Sequence, residues 1–304
     1  EMPTNDITVL NRNYGAPGRI AFREGPAGFP LLSLAESRGS CEIALYGAQV
    51  LAYRPTGQSP ILWMSKCSAH VAAGKPIRGG IPVCWPWFGA HATDTRLPNH
   101  GFARLRRWRL LATTYDSHQT SARLQLAQDE ETLALWPHPF RLEMTVSVGE
   151  ALSLELVTTN RGDTPMSLTQ ALHPYFLVSQ IAAVRVLGLE NLAYQDHSPA
   201  KRDDHQHGAL QIQAETDRLF RKATGNCTLL DPGIGRQIVI GKRGSQSTVV
   251  WNPWIEKARR LTDMDHDDYQ RFLCIEPANA DADAVTLEPG AEHVLGLTIQ
   301  SRPA

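Results

Sequence analysis

Apolar and polar residues alternate along much of this chain. Residues 41–50 (CEIALYGAQV), 121–127 (SARLQLA) and 141–148 (RLEMTVSV) keep a period of two, the pattern of a strand with one buried face. The alternation resumes at 152–158 directly after Gly149-Glu150, a short turn with glycine at its first central place, so 141–158 reads as a β-hairpin. Further runs predict strands at 166–172, 183–187, 237–240, 248–251, 272–275 and 293–299. Helical patterns are few and short, one or two turns each at 130–135, 255–261 and 267–273. Strands do not alternate with long helices, which excludes a doubly wound parallel sheet. An all-β fold, a large antiparallel sandwich or barrel, is the expectation. No fixed repeat, low-complexity tract or linker divides the chain, so 1–304 is expected to be one domain. The most polar stretch, 197–208 (HSPAKRDDHQHG), reads as a solvated loop.

Composition narrows this picture. A hydrophobic fraction of 42% fills a large core and excludes wholesale disorder. Thirty basic against 31 acidic side chains give a net charge of −1, which argues against a nucleic-acid partner held by a general positive field. No apolar run approaches the ~18 residues of a membrane span. Residues 1–15 are polar and lack the charged-then-apolar pattern of an export signal. Met2 reads as the natural start, with Glu1 a remnant ahead of it. The 5 cysteines are odd in number and none are spaced C-x-x-C, which argues against a disulfide framework or a cysteine zinc site. They read as small apolar fillers, and a reducing cytoplasm is the expected compartment.

Four segments set rare polar groups among aromatics and turn residues. In 76–89 (PIRGGIPVCWPWFG), glycines and prolines oppose a regular helix or central strand. Trp85, Trp87 and Phe88 offer flat apolar surface for the C–H face of a sugar, or else close one end of a sandwich. Arg78 stands beside Gly79-Gly80, where backbone can approach a ligand closely. In 99–104 (NHGFAR), Arg104 carries a planar fork suited to phosphate or carboxylate, although a lone His100 or Arg104 is as easily structural. Arginines 106, 107 and 109 alternate with Leu105 and Trp108 and read as a solvated face. In 170–176 (QALHPYF), His173 follows an apolar strand and precedes a proline, which sets it at a strand end. It is a core histidine or a proton carrier at neutral pH. In 272–280 (FLCIEPANA), Glu276 lies in an apolar strand pattern, so its carboxylate is either paired or working.

Two polar clusters read as solvated rather than metal-binding. His205 and His207, beside Asp203 and Asp204, lack a third ligand of obvious spacing. Asp263, Asp265, Asp267 and Asp268 resemble half a calcium loop without its glycine and glutamate. Gly-rich phosphate loops and a G-x-S-x-G elbow are absent from the sequence.

The blocks RGGIPVCWPWFG, NHGFAR, ALHPYF, ETDRLF (215–220) and CIEPAN, in that order, resemble the glucose-6-phosphate 1-epimerases, the hexose-6-phosphate mutarotases of the aldose 1-epimerase superfamily. The resemblance runs from Arg78 to Asn279 and implies a large antiparallel β-sandwich of the galactose-mutarotase type. It also implies roles. His173 matches the catalytic histidine and Glu276 the catalytic glutamate. His100 matches a sugar-contacting histidine, and Arg78 and Arg104 match positions associated with substrate and its phosphate. Asp217 matches a substrate-contacting aspartate. Asn99 stands where the family often has Gln, one methylene longer, which puts that residue's hydrogen bond in doubt.

The implied reaction interconverts α and β anomers of a hexose 6-phosphate. A base removes the O1 proton, an acid protonates the ring oxygen, the C1–C2 bond rotates and the ring recloses. Glu276 as base and His173 as acid, on opposite sides of the hemiacetal, suffice with no metal and no cofactor. The expected partner is a small sugar phosphate met by a monomer. Two alternatives stand beside this reading: a mutarotase of a neutral aldose, which needs neither Arg78 nor Arg104, and a non-catalytic carbohydrate-binding module, which needs no acid–base pair.

Overall fold

The architecture follows from long antiparallel ladders whose alternate residues face a shared interior. The structure, a computed structural model, describes residues 5–303; Glu1 and Met2, where the sequence suggests the start of the natural chain, lie outside them. An eight-stranded antiparallel sheet, here the scaffold sheet, runs in the order Arg185–Leu187, Cys227–Asp231, Arg236–Arg243, Glu292–Pro303, Leu152–Asn160, Phe140–Val148, Thr120–Ala127, Arg109–Tyr115. A second eight-stranded sheet, here the site sheet, runs Asp204–His205, Ala193–Asp196, Thr216–Phe220, Ser247–Asn252, Phe272–Asn279, Gln170–Leu172, Val83–Cys84, with Tyr175–Leu177 also paired to Phe272–Asn279. A four-stranded meander, from Ile20–Glu24 to Gln49–Pro55, completes the main frame. One apolar core joins all three, with Leu34, Leu154, Leu297 and Ile275 among its members.

The scaffold sheet is where alternation reads cleanly. Phe140–Val148 buries every second residue and Leu152–Asn160 begins the same way. Their hairpin closes with Val148 opposite Leu152, so the loop is 149–151, one residue longer than the two-residue turn expected. Elsewhere the pattern misled. Residues 41–50 are not one strand: Gly39–Ala44 and Gln49–Pro55 are separate strands joined by a fully buried turn that preserves the apolar pattern. Residues 166–172 also split, because Met166–Leu168 pairs with Val285–Leu287 while Gln170–Leu172 joins the site sheet.

Helices are short, as the pattern implies. Glu130–Leu135 carries a capping box in which Asp129 and Thr132 exchange hydrogen bonds. Trp254–Ala258 forms part of the second expected helix, and the third is a 3-10 turn at Asp268–Arg271. An unexpected helix, Ile7–Tyr14, is capped by Asp6. It is tied to the meander by Asn11, whose side chain bonds both N–H and C=O of Phe22. The polar stretch 197–208 is not wholly loop, since Asp204–His205 pairs with Ala193–Asp196.

Candidate active site

The central strands of the site sheet are buried on both faces. Phe272–Asn279 has all 8 residues buried. Leu273 and Ile275 join the main core, while Phe272, Cys274 and Ala278 join a second cluster with Trp63, Tyr175, Val249 and Trp251. Glu276 has the parity of this second face, where a cleft opens.

Register places the groups. Gln170 and Ala171 pair with Asn279 and Ala278, and Tyr175 pairs with Cys274 in the same register. Between them the ladder is interrupted at His173-Pro174. Carrying the register across the gap sets His173 opposite Glu276, and their side chains meet, Nε2 to Oε1, at 3.2 Å. The interruption also explains how Pro277, which has no N–H, sits inside a central strand. The next row runs Tyr175, Cys274, Trp251, Asp217, and His197 extends it by donating its backbone N–H to the Asp217 carbonyl at 2.7 Å.

Loops supply the opposite wall. His100 has a left-handed backbone with φ of 64°. The next residue must be glycine, because a Cβ on Gly101 would lie 2.0 Å from the Trp85 carbonyl oxygen. His100 Nδ1 accepts the Gly89 N–H at 3.0 Å. The neutral ring therefore carries its proton on Nε2 and offers a donor. Burial, with Arg104 nearby, holds its pKa well below the usual histidine value. Arg104 donates to the Asn99 carbonyl at 2.9 Å, a main-chain contact that a methylene more or less in the Asn99 side chain does not alter. Arg78 is clamped: its Nε donates to Asp263 at 3.0 Å and its Nη1 to the Tyr175 hydroxyl at 2.9 Å.

These groups line one cleft of about 280 Å³, at the small end of small-molecule sites. It brings together all seven residues singled out from sequence: Arg78, Asn99, His100, Arg104, His173, Asp217 and Glu276. It also contains Tyr175, His197, Trp251 and Lys257, which sequence reasoning missed. Period-two parity from His173 and Glu276 points to Tyr175. The other three need the cross-strand register or the fold.

Four expectations change. Trp85 and Trp87 sit in the core, with indole N–H groups bonded to Thr158 and the Pro98 carbonyl; Phe88 and Trp251 supply the cleft's flat apolar surface. Gly79 and Gly80 approach protein backbone rather than a ligand, since their added Cβ atoms would meet Trp63 and Val50 carbonyl oxygens at 2.6 and 2.2 Å. His173 and Glu276 are neighbours on the floor, not groups facing each other across a substrate. Asp263, read from sequence as part of a solvated acidic run, instead anchors Arg78.

The electrostatics of the floor follow from burial. Desolvation pushes the Glu276 carboxyl well above the usual range, helped by Asp217 and opposed by Arg104. Desolvation, with Arg104 and Arg78 beside it, brings His173 down to about 3. Both shifts disfavour charge, the carboxyl toward its protonated form and the imidazole toward its neutral form. His173 Nδ1 and Glu276 Oε2 are buried with no partner among the described residues. Such atoms are costly in a finished core and suited to a site that meets polar ligand atoms.

The fold and floor define an all-β protein with buried acid–base chemistry at a small polar cleft. Residues 30–300 match the family model described as aldose 1-epimerase, and the chain belongs to that family. A relative from Cenchrus ciliaris, named "Putative glucose-6-phosphate 1-epimerase", is 36% identical over 278 residues, covering 88% of this chain and 83% of its own. A crystal structure from Salmonella typhimurium, titled a "putative mutarotase", superposes with a TM-score of 0.86 at 28% identity, covering 94% of each chain. A galactose mutarotase-like protein from Lactobacillus casei, 17% identical with a TM-score of 0.69 over 90% of this chain and 100% of its own, shares the fold.

Proposed function

We propose that this protein interconverts the α and β anomers of a hexose 6-phosphate, with glucose 6-phosphate the first substrate to test, through His173 and Glu276. The observation that carries the reading is their 3.2 Å contact at the floor of the cleft. Ring opening takes one proton from O1 and gives one to the ring oxygen. The proton count of the pair is therefore unchanged, and a pair holding one proton has both a base and an acid. Both oxygens are bonded to C1, so two neighbouring groups on one floor reach them without facing each other. The shared proton passes across the 3.2 Å contact to His173; in that form Glu276 takes the O1 proton and His173 supplies the ring oxygen, and the roles reverse on closing. His100 Nε2–H and Asp217 face the remaining hydroxyls, and Trp251 offers a flat face.

The phosphate is assigned to the arginines, with Arg104 leading. Both line the cleft. Arg78 already spends three nitrogens on Asp263 and Tyr175, whereas Arg104 keeps Nε without a partner among the described residues. A dianion held by charge-assisted bonds favours the freer fork. A binding module needs no buried proton-sharing pair, which weighs against that alternative. The chain's free cysteines suit a reducing compartment, and the core shared by the sheets supports one domain across the described residues 5–303. The test is relaxation of freshly dissolved α-glucose 6-phosphate, followed by polarimetry or NMR exchange, with glucose as control. Enzyme-accelerated relaxation of the phosphorylated sugar is expected; equal acceleration of glucose would move the assignment to a neutral-aldose mutarotase.

A further inference from the structure

We propose that Cys274 completes, with His173 and Glu276, a site for a thiophilic divalent cation of the zinc or cadmium type, and that filling it stops proton transfer. Cys274 and Glu276 lie two residues apart on one strand and share a face, and His173 is the cross-strand neighbour of Glu276. The ligand atoms of all three residues lie within 4.8 Å of one another, and all three residues are buried. No other such group occurs among the described residues.

The donor set is imidazole, carboxylate and thiol, a combination zinc accepts, with a fourth position free for water. Zinc bonds of about 2.0–2.3 Å put neighbouring ligands in a tetrahedron about 3.3–3.8 Å apart. From a widest separation of 4.8 Å, the ligand atoms need to close by about 1–1.5 Å. The pair also has lone pairs to spare, since His173 Nδ1 and Glu276 Oε2 have no partner among the described residues. Binding forms metal–sulfur, metal–nitrogen and metal–oxygen bonds. It releases to solvent the Cys274 thiol proton and the proton shared by His173 and Glu276. The metal then occupies the lone pairs that proton transfer uses. The cation is an inhibitor in this account, not a cofactor. The inhibitory consequence rests on the reading of His173 and Glu276 as the reacting pair; metal binding does not.

The experiment uses the full chain carrying Cys67→Ser, which removes the one exposed thiol, with and without Cys274→Ala or Cys274→Ser. Zn²⁺ is titrated against glucose 6-phosphate anomerisation, and Cd²⁺ against the ultraviolet thiolate–cadmium band. The readout is the rate with metal divided by the rate without it, so each variant's own activity cancels. At ten times the dissociation constant that ratio should fall to about a tenth, and EDTA should restore it. The Cys274 variants should keep a ratio near one and lose the cadmium band. Serine preserves the side-chain volume, which guards against a variant that fails only by packing. Inhibition undiminished in both Cys274 variants, or a cadmium band absent with Cys274 present, overturns the site. A band that depends on Cys274 without inhibition keeps the site and overturns its inhibitory role, and with it the assignment of the pair.

Discussion

The two large sheets are built from the same kind of ladder and differ in what they bury. In the scaffold sheet, Phe140–Val148 alternates buried with part-exposed residues along its length, and its buried members are apolar. In the site sheet, Phe272–Asn279 is buried throughout, and Glu276 and Asn279 are among the buried residues. One sheet spends its interior on stability. The other gives part of its interior to polar groups, among them Glu276, whose Oε2 has no partner among the described residues. Stability and chemistry should therefore separate cleanly on mutation.

The largest effect expected is on the site side. His173→Ala and Glu276→Gln should each slow anomerisation by about 10²–10⁴-fold, the usual loss of a positioned acid or base. Thermal unfolding of Glu276→Gln should not fall, because a carboxyl with an unpartnered buried oxygen is replaced by a neutral group of the same shape. A near-normal rate in either variant would remove that residue from the mechanism, and a large drop in melting temperature would mean the pair is structural.

Scaffold mutations should do the reverse. Leu154, fully buried on the core face, should cost about 2–5 kcal/mol when truncated to alanine, measured by denaturant unfolding. The activity of the remaining folded molecules should stay at the wild-type level. A changed kcat in Leu154→Ala would show that the two sheets are more tightly coupled than their packing implies.

The comparison also explains what the sequence made legible. Alternation was easy to read where one face meets solvent, as in 121–127 and 141–148. It was harder at the centre of the site sheet, where both faces are buried and FLCIEPAN shows no polar rhythm. Even so, Glu276 stood out there, because a charge in an apolar run demands a reason. Arg78, His100, Arg104 and Asp217 came from the family resemblance more than from physics. Trp251 looked like an ordinary strand aromatic, and His197 was hidden in a run of polar residues that resembles any solvated loop. Lys257 lies on a short helix beside Glu215 and Asp217; only the fold brings that helix to the cleft. Trp85 and Trp87 misled for the converse reason, since aromatic composition does not say which face a turn presents.

Within the site, the arginines provide the next smaller effect. A charge-assisted hydrogen bond is worth roughly 1.5–3 kcal/mol, or about 10- to 150-fold. Arg104→Ala should lower kcat/KM for glucose 6-phosphate by that factor relative to glucose, and Arg104→Lys should recover only part of it. Arg78→Ala should lower the ratio less, because its fork is held by Asp263 and Tyr175. Arg106, bonded to Glu131, and Arg109, bonded to Gln125, serve as outside controls. A ratio unmoved in both site variants would place the phosphate elsewhere.

The smallest effect sets two buried glutamates against each other. Glu276 is raised by burial without enough partners. Glu36, at the end of the meander strand Pro30–Glu36, is fully served. It accepts the Ser37 hydroxyl at 2.6 Å, the Arg38 N–H at 2.9 Å and the Arg38 Nε at 3.3 Å. Those bonds, the Ser37 hydroxyl first, bring its pKa down to about 2 from 4.5. A carboxyl held lower in the folded than in the unfolded chain contributes stability above the unfolded value, and that contribution fades as acid protonates it. Glu36→Gln should therefore be less stable than wild type at neutral pH, and the gap should narrow between about pH 4.5 and about pH 2. Chemical denaturation of both proteins across that window reads it directly. A gap that stays constant with pH would mean that the Glu36 bonds matter for their geometry and not for the charge they stabilise.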